Sequence, residues 1–101
     1  MTNPVFERIA IIGIGLIGSS IARAAVEKGA AGAVSIFDAD ADALSRAGEL
    51  GLGETHVSAA EAVTDADAVF LCVPVGAMGR ASEAAAAMKA GAVLTDVGSV
   101  K

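Results

Sequence analysis

At 101 residues the chain is long enough for one domain and too short for two. It is 54% hydrophobic but only 3% aromatic, so its interior must be built from Ala, Val, Ile and Leu, which suit helices packed closely on a parallel sheet. A net charge of −5, with no run of Lys or Arg, argues against nucleic acid or an anionic membrane surface as partner, and a single cysteine, Cys72, excludes an internal disulfide or a cysteine-based metal site.

No apolar run approaches the length of a membrane span. The N-terminus has no basic stretch leading into a hydrophobic one, so the cytoplasm is the expected compartment. Met1 to Val5 reads as a short tail. The apolar run Ile9-Ala10-Ile11-Ile12 predicts a first strand, and Gly13-Ile14-Gly15-Leu16-Ile17-Gly18 follows as a glycine turn. A helix over Ser19 to Lys28 is stopped by Gly29. A second strand, Ala33 to Phe37, ends at Asp38, twenty positions after Gly18. Asp40 is a fitting N-cap for a helix over Ala41 to Leu50, ended by Gly51.

A short third strand is expected around Thr55-His56-Val57. Ser58 and Glu61 have capping-box spacing and open a short helix through Val63. Asp65-Ala66-Asp67 turns the chain into a strand over Ala68 to Val73, which Pro74 stops. A helix over Gly76 to Lys89, closed by Gly91, leads to a last strand, Ala92 to Val97. Strands alternating with helices predict an α/β fold: a doubly wound parallel sheet of five strands in order 3-2-1-4-5, as a single domain. Its last strand should form an unprotected edge.

Strand, glycine turn, helix, strand and acid together make the Rossmann-type dinucleotide-binding fingerprint in its required setting. Gly13 lets the backbone turn sharply out of the strand. Gly15 leaves room for a pyrophosphate, and Gly18 lets the helix pack close to the strands. The free N–H groups near Leu16 and Ile17 face the phosphates with the helix dipole behind them. Asp38 can accept hydrogen bonds from ribose hydroxyls, and its charge opposes a 2′-phosphate, which favours NAD over NADP. Arg46 is the nearest cation that could offset that charge.

In this topology the crevice lies beyond the carboxyl ends of strands one and four. Val73, Pro74 and Val75 leave strand four there and become candidates for the ribose or nicotinamide side, or else form a simple strand stop. Asp96 to Lys101 leave strand five on the same edge, where Ser99 is a candidate for chemistry and otherwise a turn residue. His56 has no nucleophile arrangement around it, falls on the wrong side of the fold, and reads as structural. Cys72 reads as a small core residue in its strand, and Met78 and Met88 as helix packing. The acids from Asp38 to Asp42 are spaced for caps and a solvated face, without a metal-ligand constellation.

Three segments carry a more specific likeness: Ile11 to Ser20, Leu71-Cys72-Val73-Pro74-Val75-Gly76-Ala77-Met78, and Thr95-Asp96-Val97-Gly98-Ser99-Val100-Lys101. Together they resemble the prephenate/arogenate (cyclohexadienyl) dehydrogenase family over essentially the whole chain. The resemblance implies oxidative decarboxylation of prephenate or arogenate in tyrosine biosynthesis, with a ring hydride passing to NAD. It sets Ser99 beside the substrate's ring hydroxyl. It also implies a homodimer in the full-length enzyme, and a later segment with the catalytic histidine followed by a helical domain. Within Met1–Lys101, His56 does not match that histidine, and no arginine matches the substrate-carboxylate binder. The chain therefore reads as the N-terminal, cofactor-binding part of such an enzyme, either a fragment or a truncated gene product. Another NAD-dependent dehydrogenase, of the β-hydroxyacid or imine type, and a stand-alone dinucleotide-binding or redox-sensing module are the alternatives.

Overall fold

The computed structural model describes residues 6–14, 16–72 and 86–96. Its strands are β1 (Phe6–Ile12), β2 (Ala31–Phe37), β3 (Glu54–Thr55), β4 (Ala68–Leu71) and β5 (Val93–Asp96). All neighbours are parallel, and the sheet order is β3-β2-β1-β4-β5, as the alternation of strand and helix predicts. The connecting helices are α1 (Leu16–Lys28), α2 (Ala41–Glu49) and α3 (Ala59–Val63).

From Ile9 to Ile12 both faces of β1 are buried, as a central parallel strand requires. Ile9 and Ile11 join a core with Ala22 and Ala25 of α1 and Ala47 of α2. Ala10 and Ile12 join a second core with Ala59, Ala62 and Val63 of α3, against which Ala87 and Met88 also pack. The helices present mostly alanines to the sheet, so their axes can lie close to it. The bulk comes from the strands: Ile11, Ile12, Ile36 and Val69 are each less than 2% exposed. Burying side chains of this size contributes about 1.5–3 kcal/mol apiece.

The element boundaries depart from the sequence-based ranges in informative ways. β1 begins at Phe6, three residues before the apolar run, and takes in two charged residues. Arg8 is tolerated there because its guanidinium reaches across the sheet. It donates to the buried Ser35 Oγ at 2.7 Å and pairs with Glu54 Oε1 at 3.1 Å. β2 likewise starts early, at Ala31, and α1 starts a turn early, at Leu16.

β3 is shorter than expected, and His56 and Val57 lie beyond it. β4 ends at Leu71, although the Cys72 N–H still donates to the Ile12 carbonyl at 2.8 Å. The sheet then ends with β5 at Val93–Asp96, so Ala92 is not part of that strand. Ala86 and Ala87 are helical and Met88 and Lys89 are not, so that helix ends two residues short of its expected limit. Its start at Gly76, together with Met78 and Val97, lies outside the described residues.

The amino ends of β1 and β4 are joined by Asp67. Its Oδ2 accepts the N–H groups of Glu7 at 2.8 Å and Arg8 at 3.1 Å, while Lys89 Nζ sits 2.6 Å from Oδ1. β5 pairs with β4 and is the last strand on its side among the described residues; Val93 is 54% and Leu94 41% exposed.

Candidate functional site

The parallel register brings the carboxyl ends of the strands to one edge, with Ile12 level with Phe37 on one side and Leu71 on the other, and Leu71 level with Asp96. From β1 the chain crosses towards β2, and from β4 it crosses the opposite way towards β5. The crevice of a doubly wound sheet opens where the connections diverge in this manner. Gly13 stands at the carboxyl end of β1, Cys72 at that of β4, and Asp38 at that of β2.

Gly13 has φ +92, a conformation that a residue with a β-carbon rarely adopts, and this turns the chain from β1 into α1. Gly18 lies inside α1, directly over that turn. A β-carbon added there would collide with the Gly13 carbonyl oxygen and lie 3.2 Å from Ile11 Cγ2. The helix therefore rests against β1 with no room for a side chain. Leu16 and Ile17 occupy its first turn, where backbone N–H groups have no intrahelical acceptor and the positive end of the dipole lies.

Asp38 is half-buried and engages two segments at once. Its Oδ2 accepts the Ile14 N–H at 2.8 Å and its Oδ1 accepts the Asp40 N–H at 2.7 Å. Asp40 in turn is the N-cap of α2, with its Oδ1 accepting from the N–H groups of Asp42 and Ala43. The Ser19 hydroxyl, which sequence reasoning missed, donates to the Ile14 carbonyl at 3.0 Å. A hydroxyl one residue past the last glycine of the motif was the signal available for it. The Gly13 N–H donates to the Phe37 carbonyl at 2.8 Å. Arg46 lines a groove of about 270 Å³ with Ile14, Ser19 and Ala43, between α1 and α2.

His56 requires a correction. It was expected on the wrong side of the fold, yet its N–H donates to the Ile36 carbonyl at 2.9 Å, at the carboxyl end of β3. It therefore shares the edge of the glycine turn, two strands away from β1. Its Nδ1 lies 3.9 Å from Glu61 Oε1 of α3, and its Nε2 is buried without a hydrogen-bond partner among the described residues. Cys72 is half-buried just past β4 and packs against the α1-side core. Among the described residues, no group of three His, Cys, Asp or Glu could hold a metal ion. No helix among them is long and apolar enough to cross a membrane. Gly15, Val73, Pro74, Val75 and Ser99 lie outside the described residues.

The chain as a whole is similar to several known proteins. The solved structure of prephenate dehydrogenase from A. aeolicus, in complex with hydroxyphenyl propionate and NAD+, is similar with a TM-score of 0.81 and 28% identity, covering 94% of this chain and 34% of that one. Synechocystis arogenate dehydrogenase gives a TM-score of 0.78 and 25% identity, over 93% of this chain and 34% of that one. In sequence, the chain is 46% identical over 99 residues to the cyclohexadienyl dehydrogenase of Zymomonas mobilis, covering 96% of this chain and 34% of that protein. The chain thus spans about a third of the length of these relatives. The family model described as prephenate dehydrogenase, nucleotide-binding domain, matches residues 21–101, a span that includes Asp38, Val73, Pro74, Val75 and Ser99. By that match, the chain belongs to the family of prephenate dehydrogenase nucleotide-binding domains.

Proposed function

We propose that the chain binds NAD as the cofactor-binding part of a prephenate or arogenate dehydrogenase. The observation that carries this reading is one shared sheet edge holding the Gly13 turn, the start of α1 and the Asp38 carboxylate at the topological switch point. The pyrophosphate would lie over Gly13 and Gly15, against the N–H groups of Leu16, Ile17 and Gly18. The sharp turn at Gly13 and the close seating of α1 over it at Gly18 support that placement. Each Asp38 oxygen accepts one N–H group and so retains a lone pair for a ribose hydroxyl.

Val73, Pro74 and Val75 would border the nicotinamide side, and Ser99 would lie beside the ring hydroxyl of the substrate. When bound, NAD supplies the acceptor for a hydride from the substrate ring, and the ring carboxylate leaves as carbon dioxide. The part played by this chain is to bind, to orient and to exclude the phosphorylated cofactor. Completion of the substrate pocket, the catalytic histidine, a homodimer and a cytoplasmic setting belong to this proposal for the full-length enzyme.

Titration calorimetry of the 101-residue chain tests the reading. NAD should bind at least about tenfold more tightly than NADP at low salt, because a 2′-phosphate would meet the Asp38 carboxylate. No steady NADH production from prephenate or arogenate is expected from the chain alone, since general acid–base help of about 10²–10⁴-fold would be missing. A chain with no affinity for NAD would overturn the reading. Equal affinity for the two cofactors would remove Asp38 from the ribose.

A further inference from the structure

We propose that Asp38 is a positioning residue for the glycine turn as well as an acceptor for the ribose, so that it holds the pyrophosphate cradle in shape before any cofactor arrives. This rests on the dinucleotide reading above and extends it. The Ile14 peptide is the part of the turn that faces two ways. Its N–H is taken by Asp38 Oδ2, from 24 residues along the chain, and its carbonyl is taken by the Ser19 hydroxyl of α1. Its side chain is 4% exposed within the α1-side core. One residue earlier, the Gly13 N–H is tied to the end of β2 through the Phe37 carbonyl.

The turn is therefore clamped between β2 and α1, and glycine supplies none of the rigidity. Left alone, a turn rich in glycine samples many conformations, and binding would have to suppress them. Through Asp40, the same carboxylate also sets the start of α2. Loss of Asp38 should then weaken the cradle itself, a consequence that ribose recognition alone does not produce.

Two variants separate the roles: both remove the charge, but Asp38→Asn keeps one acceptor oxygen and gives up the other, whereas Asp38→Ala gives up both. In Asp38→Asn the amide oxygen can still accept the Ile14 N–H, whereas in Asp38→Ala nothing can. Inorganic pyrophosphate is the probe, since it has no ribose to read. Pyrophosphate should bind about tenfold more weakly to Asp38→Ala than to Asp38→Asn, the size expected for leaving a part-buried N–H unpaired. Hydrogen exchange at the Ile14 amide, measured by NMR without ligand, should speed up by about the same factor in Asp38→Ala and stay near the unmodified rate in Asp38→Asn.

Equal pyrophosphate affinity and equal Ile14 exchange in the two variants would overturn the proposal. Should Asp38→Ala fail to fold, Ser19→Ala reads the other end of the same clamp. It should weaken pyrophosphate binding, and unchanged binding there would likewise overturn it. The exchange readout needs no cofactor. An unmodified chain that ignores NAD would therefore sink the dinucleotide reading while leaving the clamp separately measurable.

Discussion

At each end of the sheet one aspartate holds two backbone N–H groups, and the two differ in what remains of the carboxylate. At the amino edge, Asp67 gives Oδ2 to Glu7 and Arg8 and Oδ1 to the Lys89 ammonium. At the carboxyl edge, Asp38 gives one oxygen to Ile14 and the other to Asp40, with no ion pair among the described residues. A cation neutralises the first. The second has no such cation beside it among the described residues, and each of its oxygens accepts a single N–H group. The comparison separates a carboxylate consumed by the fold from one that the fold positions and leaves available.

The largest effect should come from disturbing the available end. Gly18→Val would force α1 away from the Gly13 carbonyl and Ile11. Overpacking of this kind costs about 1–3 kcal/mol, and the displaced cradle should lose most of its NAD affinity. Denaturant unfolding and calorimetry together would check it. A stable variant with full affinity would mean that α1 does not rest on the turn.

Next in size, Asp67→Ala should lower the melting temperature while leaving NAD affinity unchanged, whereas Asp38→Ala should weaken the binding of NAD as it does that of pyrophosphate. A drop in affinity matching that of Asp38→Ala would erase the distinction between the two edges.

The pH dependence sharpens it further. The Lys89 hydrogen bond, followed by the Arg8 N–H, holds the Asp67 carboxyl below its ordinary value of 3.8, and the same contact with Asp67 raises Lys89 above its ordinary 10.5. The lowered acid stabilises the fold above pH 3.8, and that contribution is lost as pH falls through its folded-state value. The raised base stabilises the fold below pH 10.5, and its contribution is lost as pH rises through its folded-state value. Melting temperature should therefore fall off at both extremes, and Asp67→Asn should flatten both arms. Arms that persist unchanged in the variant would assign them to other groups.

The smallest effect is away from both edges. Ser58 Oγ accepts the Glu61 N–H at 3.1 Å and caps α3. Ser58→Ala should cost about 1 kcal/mol in unfolding free energy. NAD affinity should be untouched, and a shift in it would show that α3 reports to the site.

Much of this was legible because the determinants are local. The glycine pattern, the caps at Asp40 and Ser58 and the alternation of apolar runs with helices led directly to the strand order. What was not legible depends on partners far along the chain. Glu7 and Arg8 look unlike strand residues until Asp67, about sixty positions away, accepts their N–H groups. In the same way, nothing near Asp38 in the sequence reveals that it takes the Ile14 N–H, 24 positions away. His56 was misplaced although the parallel pairing of β3 with β2 puts any residue that follows Thr55 at the carboxyl edge.

The clasp at Asp67 also bears on the order of folding. β1 meets β2 across 25 positions, Phe6 to Ala31, but meets β4 across 59, Ile9 to Ala68. Closing the longer loop costs only about 0.8 kcal/mol more in chain entropy, since that cost grows with the logarithm of length. Even so, the β1-α1-β2 unit can assemble from nearer segments, and β4 with Asp67 is placed to join it afterwards. Bonds made after the rate-limiting step act on escape from the native state and leave its formation alone. The amino-edge aspartate would then govern how long the folded sheet lasts, and have little say in how fast it forms.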